Sequence, residues 1–357
     1  MNRIEALTEL AFQKKGIDAF LVTNEKNLLY MTGTPGAFCL FVPRKGESIA
    51  LAYGVNYEQT KTEARGFEAE LLKTGEKLDE KLASLLKANR VGNLGMDTPS
   101  YDLYRLLARS LRGRVRLKVK SSLIWKLRRV KDEKELELMR TAGRITSAGM
   151  KAAYQTIRPG VTEIEVAAEI EYAMRKKGGW GPGFETIVAS GVRSAYPHGG
   201  CLDRKIRKGD LVVVDIGSLY EHYHSDMTRT IVAGKASEKQ ERVYKIVRSA
   251  QEDAYQATKA GAKGRDVDET ARRVIQEGGY GQYFVHGLGH GVGLEIHEQP
   301  TLSATSKDRL VAGNVVTDEP GIYLPNFGGV RIEDTILVRK DKGEIFTKGP
   351  YTLEGEG

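Results

Sequence analysis

Hydrophobic positions in the first third of the chain alternate between helical spacing and short β-rich runs. The strand-like runs are IDAFLVT at 17–23, two stretches within 37–53 on either side of the turn PRKGES, and residues near 91–97 and 114–119. Helical spacing predicts helices at 3–15, 56–65, 76–89 and 101–112. Alternating helices and strands are typical of an α/β domain, and we predict that this domain spans residues 1–122.

The pattern changes in the rest of the chain. A long helix is predicted from Lys131 to Thr156. Asp132 is a favourable N-cap for it, and Pro159 cannot continue it. Glycine-rich, hairpin-like segments then alternate with helical spacing near 162–177, 238–259 and 266–278. We therefore predict a second, α+β domain over residues 123–357.

Two segments of this second domain share one pattern: a turn glycine, a polar residue, and an apolar strand that ends in a carboxylate. They are GDLVVVD, which ends at Asp215, and GNVVTDE, which ends at Glu319. Each is followed, after a turn, by a strand with another acid, Asp226 in SDMTRTIV and Glu333 in GGVRIEDTILV. The repeat predicts two related hairpins, each supplying two carboxylates.

Carboxylates in such apolar strands are candidate metal ligands, because burying an ionised acid is costly unless it is paired. Four converging acids would repel one another, and two divalent cations would balance their charge. The run HGLGHGVGLEIHE (286–298) adds three histidines, and glycines on either side of His290 allow close backbone approach. We predict that two metal ions are bound by Asp215, Asp226, His290, Glu319 and Glu333. Oxygen-rich ligation with one imidazole suits Mn²⁺, Co²⁺, Fe²⁺ or Zn²⁺.

Composition narrows the class of protein without identifying it. The formal charge is +8, but the basic residues are spread along helices and turns without an interleaved aromatic stripe, so nucleic acid is an unlikely partner. No apolar run approaches the roughly 20 residues that span a bilayer, so we expect no membrane partner. Two cysteines, Cys39 and Cys201, and an N-terminus that resembles an amphipathic helix rather than a signal peptide suggest the cytoplasm.

Four segments of the chain resemble the pita-bread metallopeptidase family. These are SGVRSAYPHG (190–199), DLVVVDIGSLYEHYHSDMTRT (210–230), HGLGHGVGLEIHE (286–298) and TDEPGIYLPNFGGVRIED (317–334), with a weaker similarity at NLLYMTG (27–33). The family includes Xaa-Pro dipeptidase (prolidase), aminopeptidase P, methionine aminopeptidase and the metal-free creatinase. Length and layout are most similar to the short microbial prolidases. The resemblance implies a pita-bread fold for the second domain and a homodimer in which one subunit's N-terminal domain narrows the other's active-site mouth.

The resemblance also implies a role for each candidate residue. Asp226 and Glu333 would bridge two metal ions, Asp215 would complete one ion, and His290 with Glu319 the other. Glu319 would also take a proton from the bridging water. The remaining candidates by this resemblance are His198 for charge stabilisation, His297 at the scissile carbonyl, His286 and Arg331 near the substrate, and Thr228 and Asp334 behind the ligands.

Some of these positions have competing interpretations. Arg331 could bind a substrate carboxylate, or form a structural salt bridge on the strand face that it shares with Glu333. His198 alone would be an ordinary turn residue. Cys201 could be a soft metal ligand, although such a cysteine is more often a small packed residue. The family usually has an aliphatic residue where this chain has Asp318, which strand alternation directs away from Glu319. We expect Asp318→Ile to raise stability or metal affinity.

The function expected from this resemblance is hydrolysis of the Xaa-Pro bond in dipeptides. The alternative within the family is aminopeptidase P, which accepts longer Xaa-Pro peptides. A third alternative is a catalytically silent pita-bread module that binds protein or nucleic acid. Loss of metal ligands would favour that module, whereas here all five positions have the expected residue types.

Overall fold

The computed structural model describes residues 3–13 and 16–355, and the chain divides into two compact units, Met1–Arg128 and Arg129–Gly357. The division follows helix α6 (Ser122–Arg128), because that helix packs on α1 (Arg3–Phe12) within the first unit. The hydrophobic pattern placed the boundary before this helix. Among the described residues, no helix combines the length and the apolar character needed to cross a membrane.

The first unit is built on a six-stranded mixed sheet in the order β4-β3-β2-β1-β5-β6. The central pairs β1–β2 and β2–β3 are antiparallel, and the outer pairs are parallel. Its strands are β1 (Ala19–Val22), β2 (Cys39–Pro43), β3 (Ile49–Tyr53), β4 (Glu68–Leu72), β5 (Asn93–Met96) and β6 (Arg116–Val119). The expected α/β class is thereby confirmed.

Among the residues of this unit that the structure describes, six helices accompany the sheet: α1, α2 (Glu25–Thr32), α3 (Gly54–Glu63), α4 (Leu78–Ala88), α5 (Tyr101–Ser110) and α6. Of the helix predicted at 3–15, residues 14 and 15 lie outside the described residues. Helix α2 was not predicted, although its ends carry local signals. The Asn24 side chain accepts hydrogen bonds from two backbone N–H groups at the start, and Gly33 adopts the left-handed conformation at the end (φ 74°).

The second unit begins with the predicted long helix, which is confirmed as α7 (Glu133–Thr156). Its N-cap Asp132 and Glu135 form a capping box. The other helices of this unit are α8 (Glu163–Lys176), α9 (Glu238–Ala257) and α10 (Gly264–Glu277), with short 3₁₀ turns at Gly191–Ala195 and Gly281–Tyr283. Capping boxes at Thr162 and Ser237 fix the starts of α8 and α9 in the same way.

Four small sheets complete the second unit, in the orders β11-β10-β7, β12-β9-β8, β14-β13-β15-β18-β19 and β16-β17. Their strands are β7 (Gly181–Pro182), β8 (Ile187–Ser190), β9 (Leu211–Ile216), β10 (Ser218–Tyr220), β11 (Tyr223–His224), β12 (Met227–Val232), β13 (Gly289–Gly291), β14 (Glu298–Leu302), β15 (Val315–Asp318), β16 (Gly321–Leu324), β17 (Gly328–Arg331), β18 (Asp334–Leu337) and β19 (Glu344–Ile345).

The repeat seen in the sequence corresponds to two antiparallel strand pairs, β9–β12 and β15–β18. Each pair is covered by its own helix pair. One hydrophobic cluster joins α7 and α8 to β9 and β12, and another joins α9 and α10 to β15 and β18. Burial of both sets of apolar side chains holds the two strand pairs back from solvent, with their carboxylates at the strand ends.

Candidate metal centre

The first strand pair supplies two of the predicted ligands. Asp215 lies near the end of β9, directly opposite Thr228 of β12. Asp226 immediately precedes β12 and is buried, and its backbone N–H donates to Thr335 Oγ1 at 3.0 Å. Thr335 belongs to β18, so this hydrogen bond ties the first strand pair to the second.

The second strand pair supplies Glu319, just after β15, and Glu333, just before β18. The Glu333 backbone N–H donates to the Thr228 carbonyl oxygen at 3.1 Å, which brings this carboxylate beside the first pair. The Thr228 hydroxyl lies 2.5 Å from Glu333 Oε2 and fixes one carboxylate oxygen. Thr228, predicted to lie behind the ligands, is thus in direct contact with one of them.

His290 lies on β13, where glycine neighbours are required. A Cβ added at Gly289 would lie 2.2 Å from the Thr317 carbonyl oxygen, so only glycine allows β13 to approach β15 this closely. His290 Nδ1 lies 3.1 Å from the Gly291 carbonyl oxygen. Because a carbonyl oxygen only accepts, Nδ1 carries the proton and Nε2 is left for a ligand.

The five predicted ligands line a single cavity of about 440 Å³. His290 Nε2 lies 3.3 Å from Glu319 Oε1 and 3.7 Å from Asp226 Oδ2. Asp226, His290 and Glu333 each offer a ligand atom within 4.8 Å of the others, a spacing that fits one metal ion. The other predicted site residues, His198, His286, His297 and Arg331, line the same cavity.

The electrostatics of this cluster fit bound cations. Burial, together with the charges of Asp215 and Glu319, raises the pKa of Asp226 well above its ordinary value. Burial and the charge of Asp226 do the same to the pKa of Glu333. Two buried carboxylate oxygens, Asp215 Oδ1 and Glu333 Oε1, have no hydrogen-bond donor among the described residues. Unpartnered anionic oxygens are costly unless a cation is bound, so the residues present fit a metal site.

Glu319 and His290 behave as an ion pair within the cluster. Burial alone would raise the pKa of Glu319, but the hydrogen bond and charge of His290 outweigh it and lower this pKa to about 2. Burial likewise opposes ionisation of His290, yet the hydrogen bond that its imidazolium donates to Glu319 raises its pKa. The imidazolium proton therefore takes a position that a metal ion could fill.

Arg331 lies beside the acids and is almost fully buried. Its Nη2 lies 2.6 Å from Asp215 Oδ2, its Nε donates to Thr228 Oγ1 at 3.1 Å, and its Nη1 donates to Tyr323 Oη at 2.7 Å. Burial opposes its charge, but Tyr323 and the neighbouring carboxylates raise its pKa well above the ordinary value. The guanidinium is already occupied by protein partners, which favours the salt-bridge interpretation of this residue.

Tyr323 is a site residue that the sequence did not predict. Its hydroxyl receives the hydrogen bond from Arg331 and lies 2.8 Å from His286 Nε2. His286 Nδ1 lies 2.8 Å from the Gly287 carbonyl oxygen, so Nδ1 is the donor and Nε2 accepts from Tyr323. Burial raises the pKa of Tyr323 to about 12, which keeps the phenol neutral. No local pattern in GIYLP distinguishes it from an ordinary strand tyrosine.

The two remaining histidines differ in exposure. The ring of His297 lies 4.3 Å from that of His290, and burial together with the charge of His290 lowers its pKa. His198 is exposed at the cavity wall next to Pro197. Cys201 lies outside this wall, its thiol 2.9 Å from the Thr186 carbonyl oxygen, and both cysteines are free.

Comparison with known families agrees with this geometry. The model of metallopeptidase family M24 matches residues 137–340, and that of the creatinase/prolidase N-terminal domain matches residues 3–130. This chain belongs to metallopeptidase family M24. The predicted resemblance, the pita-bread fold of the second unit and the assignment as a metallopeptidase are therefore confirmed.

Individual members of the family are similar over nearly the whole chain. The Xaa-Pro dipeptidase of Pyrococcus horikoshii is 42% identical over 337 residues, 94% of either chain. A solved Xaa-Pro dipeptidase from Bacillus anthracis has a TM-score of 0.94 at 39% identity, covering 99% of this chain and 98% of its own. An X-Pro aminopeptidase from Thermotoga maritima has a TM-score of 0.86 at 36% identity, covering 94% and 97%.

Proposed function

We propose that this M24 metallopeptidase is an Xaa-Pro dipeptidase that uses two divalent cations per subunit. The observation that carries this proposal is the convergence of four carboxylates and His290 on one cavity, with two buried carboxylate oxygens lacking donors. The names of the relatives from Pyrococcus horikoshii and Bacillus anthracis support the substrate class. The cations belong to the group Mn²⁺, Co²⁺, Fe²⁺ and Zn²⁺, which suit oxygen ligands with one imidazole.

The ligands divide between the two cations according to their positions. As the family resemblance implies, Asp226 and Glu333 would be shared by both ions, Asp215 would complete one ion, and His290 with Glu319 would complete the other. When bound, the cations supply Lewis acidity toward the peptide carbonyl and toward an attacking water. Thr228 and Arg331 hold the oxygens of Glu333 and Asp215 that are not free for ligation.

The neighbouring side chains accept the proton of the attacking water and stabilise the charge that develops on the substrate. Glu319 is ionised at neutral pH and accepts a proton from the attacking water. His297, with its lowered pKa, is neutral and donates a hydrogen bond where negative charge develops on the carbonyl oxygen. His198, exposed at the cavity wall, helps to stabilise the charge that develops on the carbonyl oxygen. His286 forms part of the substrate-facing wall and is held in one tautomer by Gly287 and Tyr323.

Aminopeptidase P activity is the second candidate, because the chain is also similar to the X-Pro aminopeptidase of Thermotoga maritima. The two activities differ in the length of peptide that they accept. Initial rates should be measured on Met-Pro and on Met-Pro-Ala with Mn²⁺ or Co²⁺ present. Turnover of Met-Pro with little turnover of the tripeptide supports the dipeptidase. Equal or faster cleavage of the tripeptide contradicts it and favours aminopeptidase P.

A catalytically silent binding module differs from both enzymes in that its turnover would not depend on the metal-ligand residues, because it has no turnover. Asp226→Asn should abolish turnover, while the control Asp253→Asn, on the exposed face of α9, should leave it unchanged. Absence of turnover in the metal-loaded native chain on both peptides would support the module.

We also infer a homodimer from the family resemblance. Light scattering that gives the mass of a single chain would contradict that inference.

A further inference from the structure

Five polar side chains lie together behind the proposed metal ligands, where helix α9 meets strands β15 and β18. We call them the α9 polar ring: Arg248, Gln251, Asp318, Asp334 and Tyr351. Asp318 and Asp334 are paired across β15 and β18 and are completely buried. Because side chains alternate along a strand, both acids face away from their neighbours Glu319 and Glu333. The ring therefore lies directly behind two of the ligands.

Gln251 of α9 connects the two acids. Its Nε2 donates to Asp318 Oδ1 and Oδ2 at 3.1 and 3.2 Å, and lies 3.4 Å from Asp334 Oδ2. The Gln251 amide oxygen accepts a hydrogen bond from Arg248, so the orientation of the amide is fixed. The amide hydrogens of this buried side chain therefore hold α9 against β15 and β18, while its oxygen is occupied by Arg248 of the same helix.

The ring closes on the far side through Tyr351. The guanidinium of Arg248 lies 3.6 Å from the centroid of the Tyr351 ring, and the Tyr351 hydroxyl donates to Asp334 Oδ2 at 2.7 Å. The Asp334 backbone N–H in turn lies 3.4 Å from Asp318 Oδ1. Segments far apart in sequence are thus linked around the two ligand-bearing strand ends.

Arg229 carries the same network to the ligand backbone. Its Nη2 donates to Asp334 Oδ1 at 3.0 Å, and its Nη1 donates to the Glu333 carbonyl oxygen at 2.7 Å. Asp334 is therefore held from two directions, by Arg229 and by the ring. A displacement of Gln251 or Asp318 would therefore shift Asp334, and with it the neighbouring residue Glu333.

Burying the α9 polar ring has an unfavourable free-energy cost. Two carboxylates opposite one another on neighbouring strands repel, and burial makes each of them costly. An aliphatic side chain in place of Asp318 would avoid the cost of burying that acid, whereas Asp334 is compensated by its ion pair with Arg229. The benefit must therefore lie elsewhere than in folding stability, and the nearest candidate is the geometry of Glu319 and Glu333.

We propose that Gln251 and Asp318 are positioning residues that fix Glu319 and Glu333 at the separation required for metal binding. The proposal rests on the proposed function, because it assumes that the five ligands bind divalent cations. From the sequence we expected Asp318→Ile to raise stability or metal affinity, and this proposal reverses the expectation for metal affinity. Removal of the buried acid should leave stability unchanged or higher, but metal affinity should fall rather than rise.

The test compares metal binding with stability in matched variants of the full-length chain. Gln251→Leu removes both polar functions of the amide, and Gln256→Leu makes the same change at an exposed position of α9. Mn²⁺ affinity of the metal-free proteins is measured by calorimetry, and melting temperature by scanning calorimetry without metal. We expect about a 10-fold weaker Mn²⁺ affinity for Gln251→Leu, no change for Gln256→Leu, and a lower kcat at similar KM for Gln251→Leu.

A second pair of variants keeps the test independent of folding. Asp318→Asn retains an acceptor oxygen for Gln251 and should keep metal affinity near that of the native chain, whereas Asp318→Ile should lose about 10-fold. Unchanged affinity in Gln251→Leu and Asp318→Ile overturns the proposal, as does a lower melting temperature with unchanged affinity. If the native chain itself binds no Mn²⁺, the proposed function fails, and that outcome is visible before any variant is compared.

Discussion

Arg331 Nη2 lies 2.6 Å from Asp215 Oδ2, so one oxygen of a proposed metal ligand is held by a buried guanidinium, while the other, Oδ1, is buried with no hydrogen-bond donor among the described residues. This arrangement presents a single oxygen of Asp215 to a cation. It also occupies the arginine that could otherwise bind a substrate carboxylate. The sequence left both roles of Arg331 open, and the contacts favour the structural one.

We predict that Arg331→Lys weakens metal binding. Lysine has no planar fork, so it cannot contact Asp215, Thr228 and Tyr323 together. Calorimetric titration with Mn²⁺ should show about a 10-fold loss of affinity, with little change in KM for Met-Pro. If KM rises strongly while metal affinity is retained, Arg331 binds the substrate carboxylate instead.

His297 is predicted to affect the chemical step alone. It is neutral at neutral pH because burial and the charge of His290 lower its pKa, and its ring lies 4.3 Å from the ring of His290. His297→Gln should lower kcat about 100-fold while metal content stays the same. His222→Gln is the matched control, since His222 is not part of the cavity wall. A parallel loss of metal would show that His297 is a ligand.

Metal binding should release protons and strengthen as pH rises. In the metal-free protein the raised pKa values of Asp226 and Glu333 keep these acids protonated above the ordinary carboxyl range, and the raised pKa of His290 keeps its proton too. A cation must displace these protons. Titrations in two buffers of different ionisation enthalpy, from pH 5 to pH 7, should reveal net proton release, and affinity that does not vary with pH would contradict this.

The same shifts determine how the metal-free protein responds to pH. A carboxyl group whose folded-state pKa is raised binds more protons in the folded than in the unfolded state, so its contribution to unfolding free energy falls as pH rises above the unfolded-state value of about 4. Glu333→Gln removes one such group. Its metal-free melting temperature should therefore decline less between pH 5 and pH 7 than that of the native chain.

Gly289 is predicted to be indispensable for the position of His290. A methyl group there would lie 2.2 Å from the Thr317 carbonyl oxygen, so β13 would have to move away from β15. Gly289→Ala should lower the melting temperature by several degrees and weaken metal binding. Gly54→Ala is the control, because a methyl group at Gly54 meets no atom within 4 Å. Equal effects of both substitutions would show that the close approach is unimportant.

Local patterns predicted much of this fold. The capping residue Asp132 and the helix-ending Pro159 were enough to place α7, and the glycine–strand–acid repeat was enough to place the four carboxylates on two strand pairs. Such features depend on residues close together in the sequence, where helix caps and strand alternation act. The long helix and the strand pairs were therefore predictable from short segments.

Features that depend on distant contacts were not predictable. Gln251 meets Asp318 across 67 positions, and Thr228 meets Glu333 across 105. Neither Gln251 nor Tyr323 stands out in its own segment, because each looks like an ordinary residue of an amphipathic helix or a strand. The place of helix α6 depends on such distant contacts too, since it packs on α1 at the other end of the first unit's sequence.

Titration of the metal-free chain with Mn²⁺, with bound metal counted per subunit, tests the central claim most directly. The convergence of Asp215, Asp226, His290, Glu319 and Glu333 predicts two ions per subunit in the native chain. Asp226→Asn, which removes a carboxylate proposed to bind both ions, should bind fewer. A native chain that binds no Mn²⁺, or an Asp226→Asn variant that binds as many ions with the same affinity, would contradict the assignment.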